Sequence, residues 1–297
     1  MSASLFTSSG LRFSHVVKRA PHPVGAHCDI RQFRHTDFSG AMSPLVLADH
    51  FVMTGPTFEL HPHAGMSAVT ILFENTQGWM SSHDSVHNDH HIGPVDLHWT
   101  LAGKGIVHTQ QPEGEHARLD GLQLFVNLPQ RLKRIEPATM LLRASDVPTV
   151  ECRNLRLRVL AGTLDGLTSP LHTPEPILIV DGSLDADAHT AVPLPSGWNL
   201  WLYVRSGGMT VRERNEPESA LKTSLSSGDA ITVSASEDGV VELHALSTAT
   251  KFVAIAGPAI NEPIVQRGPF VMNSQEEATQ AVADFQAGKF GSVMSFR

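Results

Sequence analysis

The sequence predicts an all-β fold of two successive β domains with one C-terminal helix. Three observations carry this. Short apolar runs alternate with period two, Gly, Pro, Asp and Asn punctuate almost every gap, and the series appears twice, before about residue 130 and after about residue 150. Many short strands at such spacing argue for sandwiches or barrels, not for βαβ units. A chain of 297 residues is long for a single core and suits two domains, expected at 1–135 and 136–297.

The elements follow in order. "MSAVTILF" (66–73) is a β-rich run. In "DLHWTLAG" (96–103) Leu97, Trp99 and Leu101 share a face, and in "GLQLFVNLP" (121–129) Leu122, Leu124, Val126 and Leu128 share one. The stretch 127–150 has mixed character and contains Pro137 and Pro148, so it reads as the connection between domains. In "NLRLRVLAG" (154–162) Leu155, Leu157 and Val159 are expected to face in, with Arg156 and Arg158 facing out. Runs at 175–182, 199–207, 228–236, 239–247 and 251–257 continue the second series. One segment departs from this. In "NSQEEATQAVADFQAGKFG" (273–291), Ser274 with Glu277 forms a capping box, Ala278, Ala281, Val282 and Phe285 recur at helical spacing, and Gly288 is placed to stop a helix near 274–287. Phe285 reads as a packing anchor.

The bulk numbers exclude some functions. Net charge is −8, and no Lys/Arg run supplies the clustered cations that phosphate binding needs, so direct nucleic-acid binding is not expected. No apolar run has membrane-spanning length, and the N-terminal twenty residues lack a signal-peptide pattern, so a cytoplasmic protein without membrane contact is expected. Cys28 and Cys152 lie far apart and outside any CxxC pair, which reads as two reduced thiols.

Histidine is abundant, with 17 residues. In "HPHAG" (61–65) His61 and His63 are two apart, so on a strand they project to the same side, with Pro62 turned away. "GKGIVHTQQP" (103–112) repeats the geometry with His108 and Gln110. Two such strands in one barrel can bring four side chains to one point, and a divalent transition metal is the economical partner of three converging imidazoles. The alternative is a set of separate surface histidines in a His-rich chain. His83, His87, His90 and His91 crowd one loop in "SSHDSVHNDHHIGP" (81–94), read as a solvated loop, with a lid or a second metal site as the alternative. His172, His189 and His244 look isolated, which leaves the second domain without a metal motif.

"SPLVLADHF" (43–51), "HPHAG", "GPVDLHWTLAGKGIVHTQQP", "GLQLFVNLP" and above all "EPIVQRGPFVMNSQEEATQAVADFQAGKFG" resemble the pirin family, a two-domain branch of the cupins, over nearly the whole chain. The resemblance implies two cupin barrels facing each other. The first would hold a mononuclear metal, usually iron, on three His and one Glu. The second would be metal-free, supplying packing and one wall of the cleft. The family's His-x-His falls on His61 and His63 and its third His on His108. Its Glu falls on Gln110, a departure; Ser67 in place of an acidic residue and Val95 in place of a Gly are two more.

Gln offers a metal only a neutral carbonyl oxygen, so the site is expected to be weakened. Glu113 and Glu115 lie just beyond and could replace the carboxylate if the strand bends. Iron is the expected metal, with Ni, Cu, Zn or Mn as alternatives and an empty site as another. The resemblance also implies a quercetin 2,3-dioxygenase-type activity on a flavonol, reduced or altered because Gln110 cannot act as a base. The competing expectations are a metal- or redox-responsive regulator acting through a protein partner, and a metal-free cupin that binds a small molecule.

Overall fold

The computed structural model describes residues 10–214 and 222–293; the first nine residues, on which part of the leader reading rests, lie outside them. Two antiparallel β barrels follow one another, and among the described residues one α-helix, Gln275–Gln286, lies near the C-terminus. The first barrel's main sheet runs Ala138–Leu142, Leu97–Leu101, Met66–Leu72, Ile106–Asn127, Leu45–Met53, Cys28–Arg34 and His22–Val24. Its other wall is built on the same long strand, Ile106–Asn127. The first part of that strand pairs with His61–His63 and Gln77–Asp84, and its second part with Met66–Leu72 and Leu45–Met53. A register shift between Glu113 and Arg118 marks the bend that lets one strand serve both walls.

The second barrel's main sheet includes Asp229–Ala235, Trp198–Ser206, Thr250–Pro258, Leu178–Leu184 and Leu155–Ala161, opposite a four-stranded sheet. Strands cross between the domains in both directions. Leu11–Phe13 and Val17–Lys18 pair with Asp229–Ala235 in the second sheet. Ala138–Leu142 pairs with Leu97–Leu101 in the first. The stretch 127–150 is therefore not a bare connection, since it supplies an edge strand to the first barrel and begins another, Thr149–Cys152, in the second.

The alternation holds, but its apolar face points elsewhere in the two barrels. In the second, Leu157, Val159, Leu200, Leu202, Ile231 and Val233 fill the interior solidly. In the first, Val69, Ile71, Trp99, Leu122 and Leu124 face outward from the barrel and pack against Ile179, Trp201, Tyr203, Val253 and Ile255 of the second. The two main sheets thus bury one shared apolar layer. Full burial of each large apolar side chain is worth about 1.5–3 kcal/mol. The alternate positions of those first-barrel strands, which include Thr70, His98, Gln123 and Phe125, face the barrel's own interior, and that interior is consequently polar in part.

Arg158 was expected to face solvent. It is 3% exposed, because its strand lies against the other domain. There it bonds Asp181 at 3.0 Å and the carbonyl of Val95. Arg205 joins the network through Asp181 at 2.9 Å and Glu74 at 2.8 Å, with its guanidinium carbon 3.4 Å from the Phe73 ring centroid. Two acids and two arginines are thereby paired where an isolated charge would be costly.

The helix forms as its sequence dictates. The Ser274 side chain accepts from the Glu277 N–H at 3.1 Å, and Gly288 adopts a positive φ of 73° just past the end. Glu277 returns its carboxylate to the Asn273 N–H at 3.0 Å, one residue earlier than a strict capping box. Ala278 and Ala281 are buried with Ala64, Phe270 and Phe290, and Phe285 packs its tilted ring at the edge of that cluster. The helix therefore packs on the first barrel. Both cysteines are free, Cys28 buried and Cys152 exposed. No helix among the described residues is long and apolar enough to cross a membrane.

Candidate metal centre

His61–His63 is a short strand of its own. Gly65, at a φ of 74°, turns the chain from it into Met66–Leu72, and a side chain there would meet the Val271 carbonyl. His61 lies directly opposite His108 and His63 opposite Ile106, so the period-two rule on both strands turns all three imidazoles to one side. Their candidate ligand atoms lie within 4.8 Å of one another, and the Nε2 atoms of His61 and His108 are 3.1 Å apart.

Burial sets the charge of the cluster. It depresses the pKa of His63 to about 3, with His61 adding to the effect, and lowers that of His61. His108 is pushed well below its usual value by burial and then by His63 and His61. Neutral imidazoles are what a metal requires, because the lone pair must be free. Two tautomers are fixed from behind. His61 Nδ1–H donates to the Glu59 carbonyl at 2.7 Å, and His63 Nδ1–H donates to the Pro269 carbonyl at 3.4 Å, leaving both Nε2 atoms as acceptors. His108 Nδ1 is buried without a partner. Three neutral imidazoles with nitrogens turned toward one another fit a divalent transition ion, which imidazole ligands suit.

The Pro269 carbonyl comes from the far end of the chain. Buried Lys133 holds it in place: its ammonium donates to the carbonyls of Gly65 and Val271, both at 2.9 Å, and to Asn127 Oδ1 at 2.7 Å. The Val271 N–H also donates to the Ala64 carbonyl at 3.0 Å. The C-terminal segment is thus stitched to the turn after His63. The cleft wall expected from the second barrel is instead Gly268 and Pro269 of this segment, and among the described residues no strand of the second barrel lines the cavity.

The cavity measures about 300 Å³ and is lined by Ile30, Leu47, Phe51, Met53, Phe58 and Phe125 together with the histidine cluster. Gln110 is 7% exposed and lines it too. Its Oε1 accepts from Thr70 Oγ1 at 3.0 Å, and its Nε2 lies 3.3 Å from His98 Nδ1. Thr70 also reaches Gln123 Oε1 at 2.9 Å, so one hydroxyl proton serves two acceptors. Neither alternative carboxylate reaches the cluster. Glu113 is exposed and pairs with His91 at 2.7 Å, and Glu115 is exposed beside His116. The bend begins at Glu113 and takes in Glu115, so the strand carries both to the surface.

The crowded loop is a hairpin of Gln77–Asp84 with Asp89–Ile92. None of its four histidines lines the cavity. His87 and His91 are exposed, His83 pairs with Asp89 at 3.2 Å, and His90 turns inward to His98 at 3.1 Å. His189 and His244, expected to be isolated, are cross-strand partners with stacked rings 5.2 Å apart. They lie on the outer sheet of the second barrel, and among the described residues no further group of three ligand-type side chains lies close enough to share one ion.

Two functional-looking residues escaped the sequence reading. His98 is 1% exposed, and burial holds its pKa at about 3. Asp49 lines the cavity, and burial raises its pKa to about 6. For both, the available signal was the period-two face shared with Thr100 and with Leu47, Phe51 and Met53; the fold had to say which face was inside.

Two family models match the chain, "Pirin" over residues 15–126 and "Pirin C-terminal cupin domain" over residues 179–291. Human pirin is 33% identical over 256 residues, covering 84% of this chain and 83% of that protein. Pirin-1 of Arabidopsis thaliana is 34% identical over 256 residues, covering 86% and 85%. Among solved structures, a quercetin 2,3-dioxygenase from Acinetobacter baumannii superposes with a TM-score of 0.83 at 29% identity, covering 96% of this chain and 99% of that one. A bacterial pirin from Escherichia coli, solved with nickel(II), shares the fold with a TM-score of 0.62 at 19% identity, over 84% of this chain and 100% of its own. With both halves matched, and relatives identical at about one residue in three along most of their length, the chain belongs to the pirin family.

Proposed function

We propose that this pirin-family protein holds one divalent transition metal on His61, His63 and His108 beside Gln110, iron foremost with nickel, copper, zinc or manganese as alternatives. We further propose that it oxygenates a flavonol in the manner of a quercetin 2,3-dioxygenase. One observation carries the reading: three imidazoles kept neutral by burial share a cavity of about 300 Å³ with Phe51, Phe58 and Phe125. That volume is at the lower end for small-molecule sites and suits one compact aromatic ligand. The likeness to the quercetin 2,3-dioxygenase of A. baumannii, at 29% identity over nearly both chains, supports the substrate class.

Bound there, the ion would supply Lewis acidity and, if iron or copper, one-electron redox chemistry. The chain's own residues do the rest. The Glu59 and Pro269 carbonyls orient the two imidazoles. Phe51, Phe58 and Phe125 offer aromatic surface to a planar ligand, and the apolar lining excludes water. Gln110, clasped by Thr70 and His98, contributes no charge and accepts no proton at neutral pH.

That last point favours the second reading, a metal-dependent regulator that binds without turnover. Oxygen consumption by the iron-reconstituted protein with quercetin separates the two. Uptake of O₂ in step with loss of the flavonol supports the dioxygenase, and metal binding without any uptake supports the regulator.

A further inference from the structure

Asp49 is the only carboxylate among the described residues lining the cavity, and no Lys or Arg lines it. It sits on Leu45–Met53 between Leu47 and Phe51, which line the same space. Its Oδ2 accepts from Gln32 Nε2 at 3.3 Å, while its Oδ1 is buried with no hydrogen-bond partner. An acid left half-satisfied in an apolar cavity weakens the fold, so packing does not account for it.

The register places Asp49 at one end of a polar row. Gln32, Asp49, Gln123, Thr70 and His98 are successive cross-strand partners over five strands. Within the row Thr70 bonds both Gln123 and Gln110, Gln110 meets His98, and His98 meets His90. The polar groups of the first barrel's interior thus run from Asp49 to the edge of the histidine cluster. At position 110 the row carries an amide where the resemblance leads one to expect a carboxylate.

We propose that Asp49 supplies the base that position 110 lacks and takes the proton of the acidic hydroxyl on the ligand bound in the cavity. The ligand's O–H bond breaks, an O–H bond forms on Asp49 Oδ1, and the ligand remains as an oxyanion in the space shared with the three histidines. The assignment rests on the flavonol reading and deepens it. Electrostatics agrees with the geometry. Burial raises the Asp49 pKa to about 6, against the opposing pull of Gln32 and then Arg34. The acid is therefore ionised at neutral pH and still holds a proton well. Of the other groups near it, Arg34 is the cation, the three histidines across the cavity are neutral, and Cys28, pushed up to about 11, stays a neutral thiol.

The test uses quercetin and its 3-O-methyl ether with the full-length protein, metal-free and metal-loaded. The readout is the longer-wavelength absorption band of the bound flavonol anion. In the wild type, bound quercetin carries the anion band at pH 7. In Asp49→Asn the band falls at least about tenfold at pH 7 and returns only at higher pH, and Asp49→Glu restores it. The methyl ether, which has no proton to give at that position, binds wild type and Asp49→Asn within about twofold. Thermal unfolding checks the fold of each variant, and Asp49→Asn, relieved of a half-satisfied charge, melts no lower than wild type.

An identical anion band and pH midpoint in wild type and Asp49→Asn overturns the proposal while leaving the flavonol reading intact. So does a neutral flavonol bound to the wild type. Failure of every variant to bind either compound overturns the flavonol reading and this assignment with it.

Discussion

Gln110→Glu changes one atom's chemistry at the rim of the histidine cluster, and the structure sets the terms. The amide is held by Thr70 Oγ1 at 3.0 Å and His98 Nδ1 at 3.3 Å. A carboxylate in the same place keeps the Thr70 bond and makes it charge-assisted, roughly doubling its strength. Its other oxygen faces a ring nitrogen that accepts in the wild type, so His98 must carry its proton on Nδ1 and accept at Nε2 from His90. Both rings can change tautomer without moving. The attraction between unit charges 4 Å apart at an effective dielectric of about 20 is about 4 kcal/mol, and a divalent ion doubles it. Removing the carboxylate from water costs several kcal/mol in return. A net gain of about 1.4–3 kcal/mol remains, which is about ten- to a hundredfold in the metal dissociation constant. Competition with a chelator measures it. The metal-free variant carries an uncompensated buried charge and melts lower than wild type. With Asp49 as the proton acceptor, turnover at saturating metal stays within a few fold of wild type. Equal metal affinity in the two proteins refutes the reasoning, because a charge beside the ion cannot be silent.

Two further outcomes follow from the structure. Val95 is a β-branched residue at a φ of +62°, where glycine is at ease, and its side chain is not part of an apolar cluster. Val95→Gly is therefore expected to stabilise the protein by about 1 kcal/mol in chemical denaturation, and a loss of stability would contradict the strain. His98 and His63 have folded pKa values of about 3, below the usual 6.5. Between those values the unfolded chain binds more protons, so stability present above pH 6.5 is lost as pH falls. For the metal-free protein at pH 5 the loss is about 2 kcal/mol per imidazole; a stability flat from pH 7 to 5 would show that these rings are not buried neutral.

Local rules reached the histidine cluster because its geometry is local. Residues i and i+2 share a side on any strand, and that alone aligned His61 with His63 and His108 with Gln110. The helix was legible for the same reason, since Ser274 and Glu277 act within one turn. Period two identifies two faces, however, and not what each face meets. Leu122 and Leu124 turned out to face the other barrel, so the alternate positions, Gln123 and Phe125, became the cavity wall. Asp49 and His98 were hidden by that inversion, and Arg158 by the neighbouring domain that covers it. The role of Pro269 over His63 depends on contacts across 206 residues, mediated by Lys133. No local pattern reports those.

The central claim is that His61, His63 and His108 hold one divalent transition ion. Elemental analysis of protein purified without an affinity tag, then reconstituted under anaerobic conditions and desalted, tests it most directly when run beside His108→Ala. The account predicts about one equivalent of a first-row metal in the wild type and its loss in the variant, with the β-sheet circular dichroism unchanged. Metal retained equally by a folded His108→Ala, or none retained by the wild type, would contradict it.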